Sequence, residues 1–232
     1  ILYEKGNNTF KNIHDNFPTI ISKICSKKKL KQFIHISALG IEKAKDSDYA
    51  ISKLNGEKNI FNNFSKSTIL RPSLVYSVDD NFTTNMMSLL SILPFFPLYY
   101  EGKTKFSPIH VSEMAEIILN IVEKNICSEV IECVGPDVIT FREIIEKLSI
   151  LIDKKKILIP LPSIIAKINV ALLEKFPKPL ITMDQLKLLK YDNVLSRENK
   201  SNFDLGIKSV LKFEDEVKKY SYMWKKGGEY SK

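Results

Sequence analysis

The chain has 232 residues, 44% of them apolar or aromatic and 27% charged, enough to bury a sizeable core as one large domain or two small ones. Its 8 glycines and 10 prolines exclude collagen-like, mucin-like and wholly disordered classes, and its longest apolar run, Leu89 to Tyr100, is too short for a membrane span and is broken by Pro94 and Pro97. The net charge of +8 rests on 35 basic residues, of which only Arg71, Arg142 and Arg197 are arginine; such a surface attracts anionic lipid or an acidic partner but lacks the planar forks that read phosphates and bases, so nucleic acid is not expected as a partner.

The chain opens on Ile1 rather than Met, in an ILYEKG stretch that reads as the end of a strand, with no secretory signal. On this reading it is expected to be a piece of a longer protein. Over residues 9–29, Phe10, Ile13, Phe17, Ile20, Ile21 and Ile24 recur at the three-and-four spacing of an amphipathic helix, with Pro18 either kinking it or sitting in its first turn. Leu30 to Ser37 is an apolar, β-branched run that predicts a strand buried on both faces. Asp46, Ser47 or Asp48 is placed to cap a helix running to Phe64, and Ser67 to Tyr76 predicts the next buried strand. Alternating helices and strands imply a parallel sheet covered by helices, the doubly wound α/β class.

Beyond Asp79 the spacing predicts a helix over Phe82 to Leu93, a Pro-rich loop, a helix capped by Ser112 and running to Lys124, and a strand over Val130 to Val134. Thr140 to Glu143 and Thr182 to Gln185 have capping-box spacing, the first opening a helix to Ile152. Ile157 to Ser163 holds Pro160 and Pro162 and reads as a turn or edge segment rather than a central strand; beyond Tyr220 the chain reads as a polar end. The expected division is a partial Rossmann-like domain over 1–135, with 78–106 contributing to the cleft, and a smaller, mainly helical C-terminal domain over 136–232. Cys25, Cys127 and Cys133, and His14, His35 and His110, are too scattered for a disulfide framework or a metal site.

The residues with chemical promise are Ser37, Tyr49 and Lys53. Tyr49 and Lys53 stand four apart on a predicted helix and share a face, and Ser37 lies twelve residues earlier at the carboxyl end of a predicted strand. A phenol with an ordinary pKa of about 10 must be brought toward neutrality to act as an acid or base. A neighbouring ammonium achieves this only in a sheltered site, where its field is not screened by water. Tyr is followed four residues later by Lys three times, but Tyr99/Lys103 spans a loop with Gly102 and Tyr222/Lys226 lies in the polar end. The alternative for the first pair is a solvated helix pair.

HISALG (His35 to Gly40), DYAISKLNGE (Asp48 to Glu57) and TILRPSLVY (Thr68 to Tyr76) together resemble the middle of an extended or atypical short-chain dehydrogenase/reductase. PIHVSEMAEII, VGPDVITFREII, ILIPLPS and above all PLITMDQLKLLKYDNV, Pro179 to Val194, resemble the subfamily of the Rossmann-like accessory subunit of respiratory complex I and its NAD(P)-binding, epimerase-like bacterial relatives. The likeness runs over nearly the whole chain. It implies a Rossmann-type doubly wound parallel sheet, here its C-terminal part, with a smaller helical domain. It also implies a Ser37, Tyr49, Lys53 catalytic pattern, and Tyr49, Lys53, Arg71, Pro72 and Ser73 as contacts to NADP(H) or NAD(H). It further implies complex I subunits as partners, peripheral membrane contact, and a place in the cytoplasm at a bacterial inner membrane or on the mitochondrial matrix side.

The family's G-x-x-G-x-x-G fingerprint has no counterpart among glycines 6, 40, 56, 102, 135, 206, 227 and 228, so the first strands are expected outside this sequence. Ser77 replaces a glycine common after the LRPS strand, Phe17-Pro18 stands where relatives have small residues, and His14 lies near the place of an assisting Asn or is a helix-surface histidine. Arg71 meets a phosphate or carboxylate, or ties strand to helix. Two functions follow: a scaffold whose nucleotide is structural and which supports the assembly of NADH:quinone oxidoreductase, or an active oxidoreductase, epimerase or dehydratase. The remaining alternative is that the pattern serves packing alone.

Overall fold

In the computed structural model, which describes residues 1–177 and 179–230, the opening ILYEKG stretch is not the end of a strand. Its single ladder contact is the Lys5–Asn8 bridge, which closes a tight turn on itself. A wide π-type turn over Lys11–Asn16 then passes without a break into α1 (Phe17–Lys27). Pro18 falls in the first turn of α1, where a missing N–H costs least.

The central sheet is parallel. β1 (Phe33–Ile36), α2 (Asp48–Asn63) and β2 (Ser67–Pro72) form one crossover unit, with Phe33 opposite Ser67 and Ile36 opposite Leu70. Of the three candidate caps, Ser47 closes α2, its Oγ accepting from the Ala50 N–H at 3.2 Å. The predicted strand to Tyr76 divides after Pro72, because β3 (Val75–Tyr76) changes partner and pairs with a later strand at Ile109 and His110. After α3 (Thr83–Ile92) the Pro-rich stretch is not a loop but β4 (Phe95–Tyr99). β5 (Lys105–Phe106) and β6 (Ile109–His110) lead into α4 (Val111–Glu123). Its cap is His110, whose Nδ1 accepts from the Ser112 N–H, so Ser112 lies inside the first turn.

β7 (Glu129–Cys133) then enters the sheet beside β2. β8 (Ile139–Thr140) precedes α5 (Phe141–Leu151), which opens on the expected Thr140/Glu143 capping box. β9 (Ile157–Leu161) is an edge segment, as Pro160 requires, pairing in parallel only with β4. α6 (Ser163–Leu173) and α7 (Met183–Leu188) follow, α7 with the Thr182/Gln185 capping box. β10 (Lys200–Ser201) joins the sheet beside β7, and α8 (Phe213–Ser221) ends the regular elements.

The sheet order is β1-β2-β7-β10, and side-chain alternation sorts its two faces. Ile34, Leu70, Ile131 and Cys133 pack under Met114, Ile117 and Ile121 of α4, so His35, Ser37, Ile69 and Arg71 point to the other face, toward α2. There α2 crosses the π-type turn so closely that a Cβ on Gly56 would lie 1.9 Å from the His14 carbonyl oxygen. β1 departs from expectation. It is only half-buried and Ile36 is 49% exposed, because it is the end strand of this sheet and has one neighbour, not two.

The largest core lies away from the sheet and unites α3, β4, α5 and α8 through Met87, Leu98, Ile144, Leu148, Phe213 and Val217. Trp224, in the stretch read as a polar end, is buried in the same core. Its apolar ring is not one of a periodic set, so spacing does not reveal it. Cys25 and Cys133 are buried free thiols and Cys127 is half-buried.

Candidate active site at the end of the first strand

The carboxyl end of β1 and the start of α2 bring Ser37, Tyr49 and Lys53 to one corner. Lys53 Nζ donates to the carbonyl of Ile36, the residue before Ser37, at 3.2 Å, and lies 5.9 Å from the centre of the Tyr49 ring. The ammonium thus lies over the Tyr49 ring, and its hydrogen bond goes to the Ile36 carbonyl. Burial depresses the Lys53 ammonium, and Glu57 one turn further along α2 partly restores it. Burial alone pushes the Tyr49 phenol up to about 12, opposite to the direction that proton transfer near neutrality needs. Ser37 Oγ and His35 Nε2 are buried without a hydrogen-bond partner. The His35 imidazole is held down to about 4 by burial and by Lys53.

The Tyr49 ring is fixed by aromatic neighbours. His14 lies edge-to-face with it at 5.1 Å, Phe10 likewise at 5.9 Å, and Phe10 and His14 stack at 5.4 Å. His14 is not a surface residue of its helix but is buried, with Nδ1 3.0 Å from Ser52 Oγ. Burial, and after it Lys53, hold its pKa down to about 4.

Arg71, Pro72 and Ser73 sit at the end of β2, and internal partners occupy all three. Arg71 forks onto Glu57, Nε to Oε1 at 3.1 Å and Nη2 to Oε2 at 2.6 Å, while Nη1 lies 3.5 Å from Glu42. This is the strand-to-helix tie. The Pro72 carbonyl accepts from the Leu39 N–H at 2.9 Å. Ser73 Oγ lies 2.6 Å from Asn193 Oδ1 and accepts from the Ser107 N–H at 3.0 Å.

Two residues of the Pro179 to Val194 block reach the site from far along the chain. Asp184 on α7 caps the start of α2: it accepts from Ser47 Oγ and from the Asp48 N–H, each at 2.8 Å, and from the Tyr49 N–H at 3.0 Å. Asn193 donates through Nδ2 to the Leu39 carbonyl at 2.5 Å, tying the loops after β1 and β2 together. Spacing does not announce either role, since the partners lie more than a hundred residues away; the block stands out only through its resemblance.

Ser37 and Lys53 suit the nicotinamide end of a dinucleotide: a buried hydroxyl awaits a partner, and an ammonium with three N–H groups uses one here. No glycine-rich turn for the pyrophosphate is among the described residues. Among the described residues there is no cluster of three or more metal-ligating side chains.

A parallel sheet covered by helices, with Ser37 just beyond its end strand β1 and Tyr49 and Lys53 in the first turns of the helix that follows, is a Rossmann-like α/β fold. The UDP-glucuronic acid 4-epimerase of Bacillus cereus, solved with UDP-glucuronic acid and NAD, superposes with a TM-score of 0.63 at 18% identity over 90% of this chain and 67% of its own. In sequence the relatives are subunits of NADH:ubiquinone oxidoreductase. The mitochondrial 40 kDa subunit of Neurospora crassa is 26% identical over 207 residues, 88% of this chain and 54% of that protein. The mitochondrial alpha subcomplex subunit 9 of Arabidopsis thaliana is 27% identical over 197 residues, 80% of this chain and 46% of that one. The chain thus spans about half the length of these curated relatives. No protein-family model matches it.

Proposed function

We propose that this chain is part of a nicotinamide-dinucleotide-binding scaffold that associates with respiratory complex I, its nucleotide serving stability rather than turnover. One observation carries the structural role of the nucleotide: the Tyr49 phenol is pushed up to about 12 while the Lys53 ammonium is bonded to the Ile36 carbonyl. The pair is adjacent but not wired for proton transfer. Lys53, Tyr49 and Ser37 would hold the nucleotide, and Arg71, Pro72 and Ser73, bonded internally, would form the wall beside them. A bound nicotinamide supplies hydride chemistry in the wider fold class; here these residues bind and exclude water. The sequence relatives, mitochondrial subunits of NADH:ubiquinone oxidoreductase, support the association with complex I; the same reading puts the protein in the matrix if the host is a eukaryote, and in the cytoplasm at the inner membrane if it is a bacterium.

The test is affinity purification of the tagged protein from its host under mild detergent, with analysis of the nucleotide released on denaturation. NAD(H) or NADP(H) together with complex I subunits is the expected result; their absence overturns the reading. The unpartnered Ser37 hydroxyl favours a second reading, an oxidoreductase, epimerase or dehydratase using Ser37, Tyr49 and Lys53. That reading requires a substrate that oxidises or reduces the retained nucleotide, and a Tyr49→Phe variant that loses turnover while keeping the nucleotide.

A further inference from the structure

The amino edge of the parallel sheet lies opposite the corner that holds Ser37, Tyr49 and Lys53. Three loops build it, joining α1 to β1, α2 to β2 and α4 to β7, and hydrogen bonds lace them into one face. Gln32 Nε2 donates to the Ile126 carbonyl, and Thr68 Oγ1 donates to the same carbonyl at 2.7 Å. Ser128 donates through Oγ to the Ser65 carbonyl at 2.7 Å and through its N–H to the Ser67 carbonyl at 2.8 Å. On this face stand Lys27, Lys28, Lys29, Lys31, Lys66 and Lys124, all exposed. Among the described residues none of the six is in an ion pair. Against them stand Glu123, exposed, and Glu129, already paired with Lys200. Helix ends explain only part of the set: the carboxyl ends of α1 and α4 attract Lys27, Lys28 and Lys124 through their dipoles, but Lys31 and Lys66 precede strands and lie outside any helix. Lys29 takes a left-handed conformation just past α1, φ 52°, where glycine carries no strain, so its side chain is held there at a conformational cost.

We propose that this amino edge docks on an acidic protein surface of complex I, its lysines facing the partner's carboxylates around Leu30. The proposal rests on the proposed association with complex I and names the face that makes it. Charge complementarity selects the occupant: six like charges on a preformed face find their counter-charges outside the chain. The face holds no arginine, the side chain suited to reading phosphates and bases. Leu30, 46% exposed, is the one strongly exposed aliphatic side chain in the three loops, too little apolar surface to enter a lipid boundary but enough to sit at the centre of a charged protein contact. Docking at the amino edge leaves the carboxyl edge, with its unpartnered Ser37 hydroxyl, open to the nucleotide.

The tagged protein purified from its host under mild detergent tests this, with retained complex I subunits as the readout. The variant Lys27→Glu/Lys28→Glu/Lys31→Glu/Lys66→Glu, altered only at exposed positions and checked for an unchanged melting temperature, should retain about tenfold less. The same number of reversals elsewhere, Lys208→Glu/Lys212→Glu/Lys218→Glu/Lys226→Glu, should leave retention at the parental level. Retention by the parent should fall as salt screens the lysines, and a carbodiimide, which joins an amine to a carboxylate in contact with it, should cross-link lysines of the amino edge to a complex I subunit. Equal retention by the parent and the first variant overturns the docking face and leaves the association standing, as does an equal loss in the second variant. A parent that retains no complex I subunit overturns the association and the docking face together. Retention that nuclease abolishes assigns the face to nucleic acid and overturns the proposal; binding to phosphatidylglycerol vesicles that the first variant loses while it keeps complex I assigns the face to lipid and does the same.

Discussion

The carboxyl ends of β1 and β2 lie side by side in the sheet, yet their polar groups are treated in opposite ways. At the end of β2, Arg71 is forked onto Glu57 and in contact with Glu42, and Ser73 is held by Asn193 and the Ser107 N–H. At the end of β1, Ser37 Oγ and His35 Nε2 are buried with nothing to bond to. A buried polar atom without a partner is costly and is retained where something else supplies the partner. The difference sets an end of the sheet whose polar groups are satisfied internally against one whose buried hydroxyl has no protein partner, although the sequence resemblance assigned Arg71, Pro72 and Ser73 to the nucleotide and Ser37 to catalysis.

The most severe way to break that contrast is to remove Arg71. Arg71→Leu leaves the buried Glu57 carboxylate uncompensated and is expected to cost about 3–5 kcal/mol in urea unfolding at neutral pH. The Arg71→Leu/Glu57→Leu pair should recover most of this, since a well-packed apolar pair replaces the ion pair at little cost. A single variant that unfolds like the parent would show that the end of β2 is not structural. Asp184→Ala comes next. It strips three donors at the start of α2 of their acceptor, and a loss of about 2 kcal/mol is expected in the same measurement. Because those donors include the Tyr49 N–H, retained nucleotide should fall as well.

How much of this was legible in the sequence depends on how local each signal is. The Ser37, Tyr49, Lys53 corner was legible because one strand and the following helix carry it, and strand-to-helix spacing is a short-range property. The capping boxes at Thr140 and Thr182 were legible for the same reason. β4 was not, because Pro94 and Pro97 read as breakers while the ladder to β9 tolerates proline on paired edge segments. The exposure of β1 was not either: an apolar β-branched run predicts burial, but burial of a parallel strand depends on having two neighbours, which composition does not encode. Arg71 was read in two ways, and only its distance to Glu57 separates them. Asp184 and Asn193 act across the whole chain, so only a family likeness marked them.

Acidification gives a smaller and graded effect. The His14 and His35 imidazoles are both held down to about 4, from an ordinary value of 6.5, chiefly by burial. The folded state therefore takes up protons less readily than the unfolded chain. Stability from these two groups is fully present above about pH 6.5 and falls as the pH drops toward 4, by about 1.4 kcal/mol per pH unit for each histidine. Urea midpoints at pH 7 and pH 5 measure the slope. His14→Gln should remove close to half of it; an unchanged slope would mean that these imidazoles are not buried neutral.

The smallest stability change, and the sharpest test of the comparison, comes from Ser37 and Ser73 together. Ser73→Ala removes a hydroxyl that holds Asn193 and accepts from the Ser107 N–H, so it should destabilise the protein by about 1 kcal/mol whether or not nucleotide is present. Ser37→Ala removes a buried hydroxyl that has no protein partner, so the nucleotide-free protein should change by less than about 0.5 kcal/mol or gain stability. The added stability that nucleotide confers on the parent should shrink in Ser37→Ala, because the folded state then offers the ligand one hydrogen bond fewer and binds it more weakly. Opposite responses of two serines on neighbouring strands, read by thermal melts with and without NADPH, would be difficult to produce by packing alone. If Ser37→Ala destabilises the free protein as Ser73→Ala does, its hydroxyl is structural and the ligand-facing reading of β1 fails.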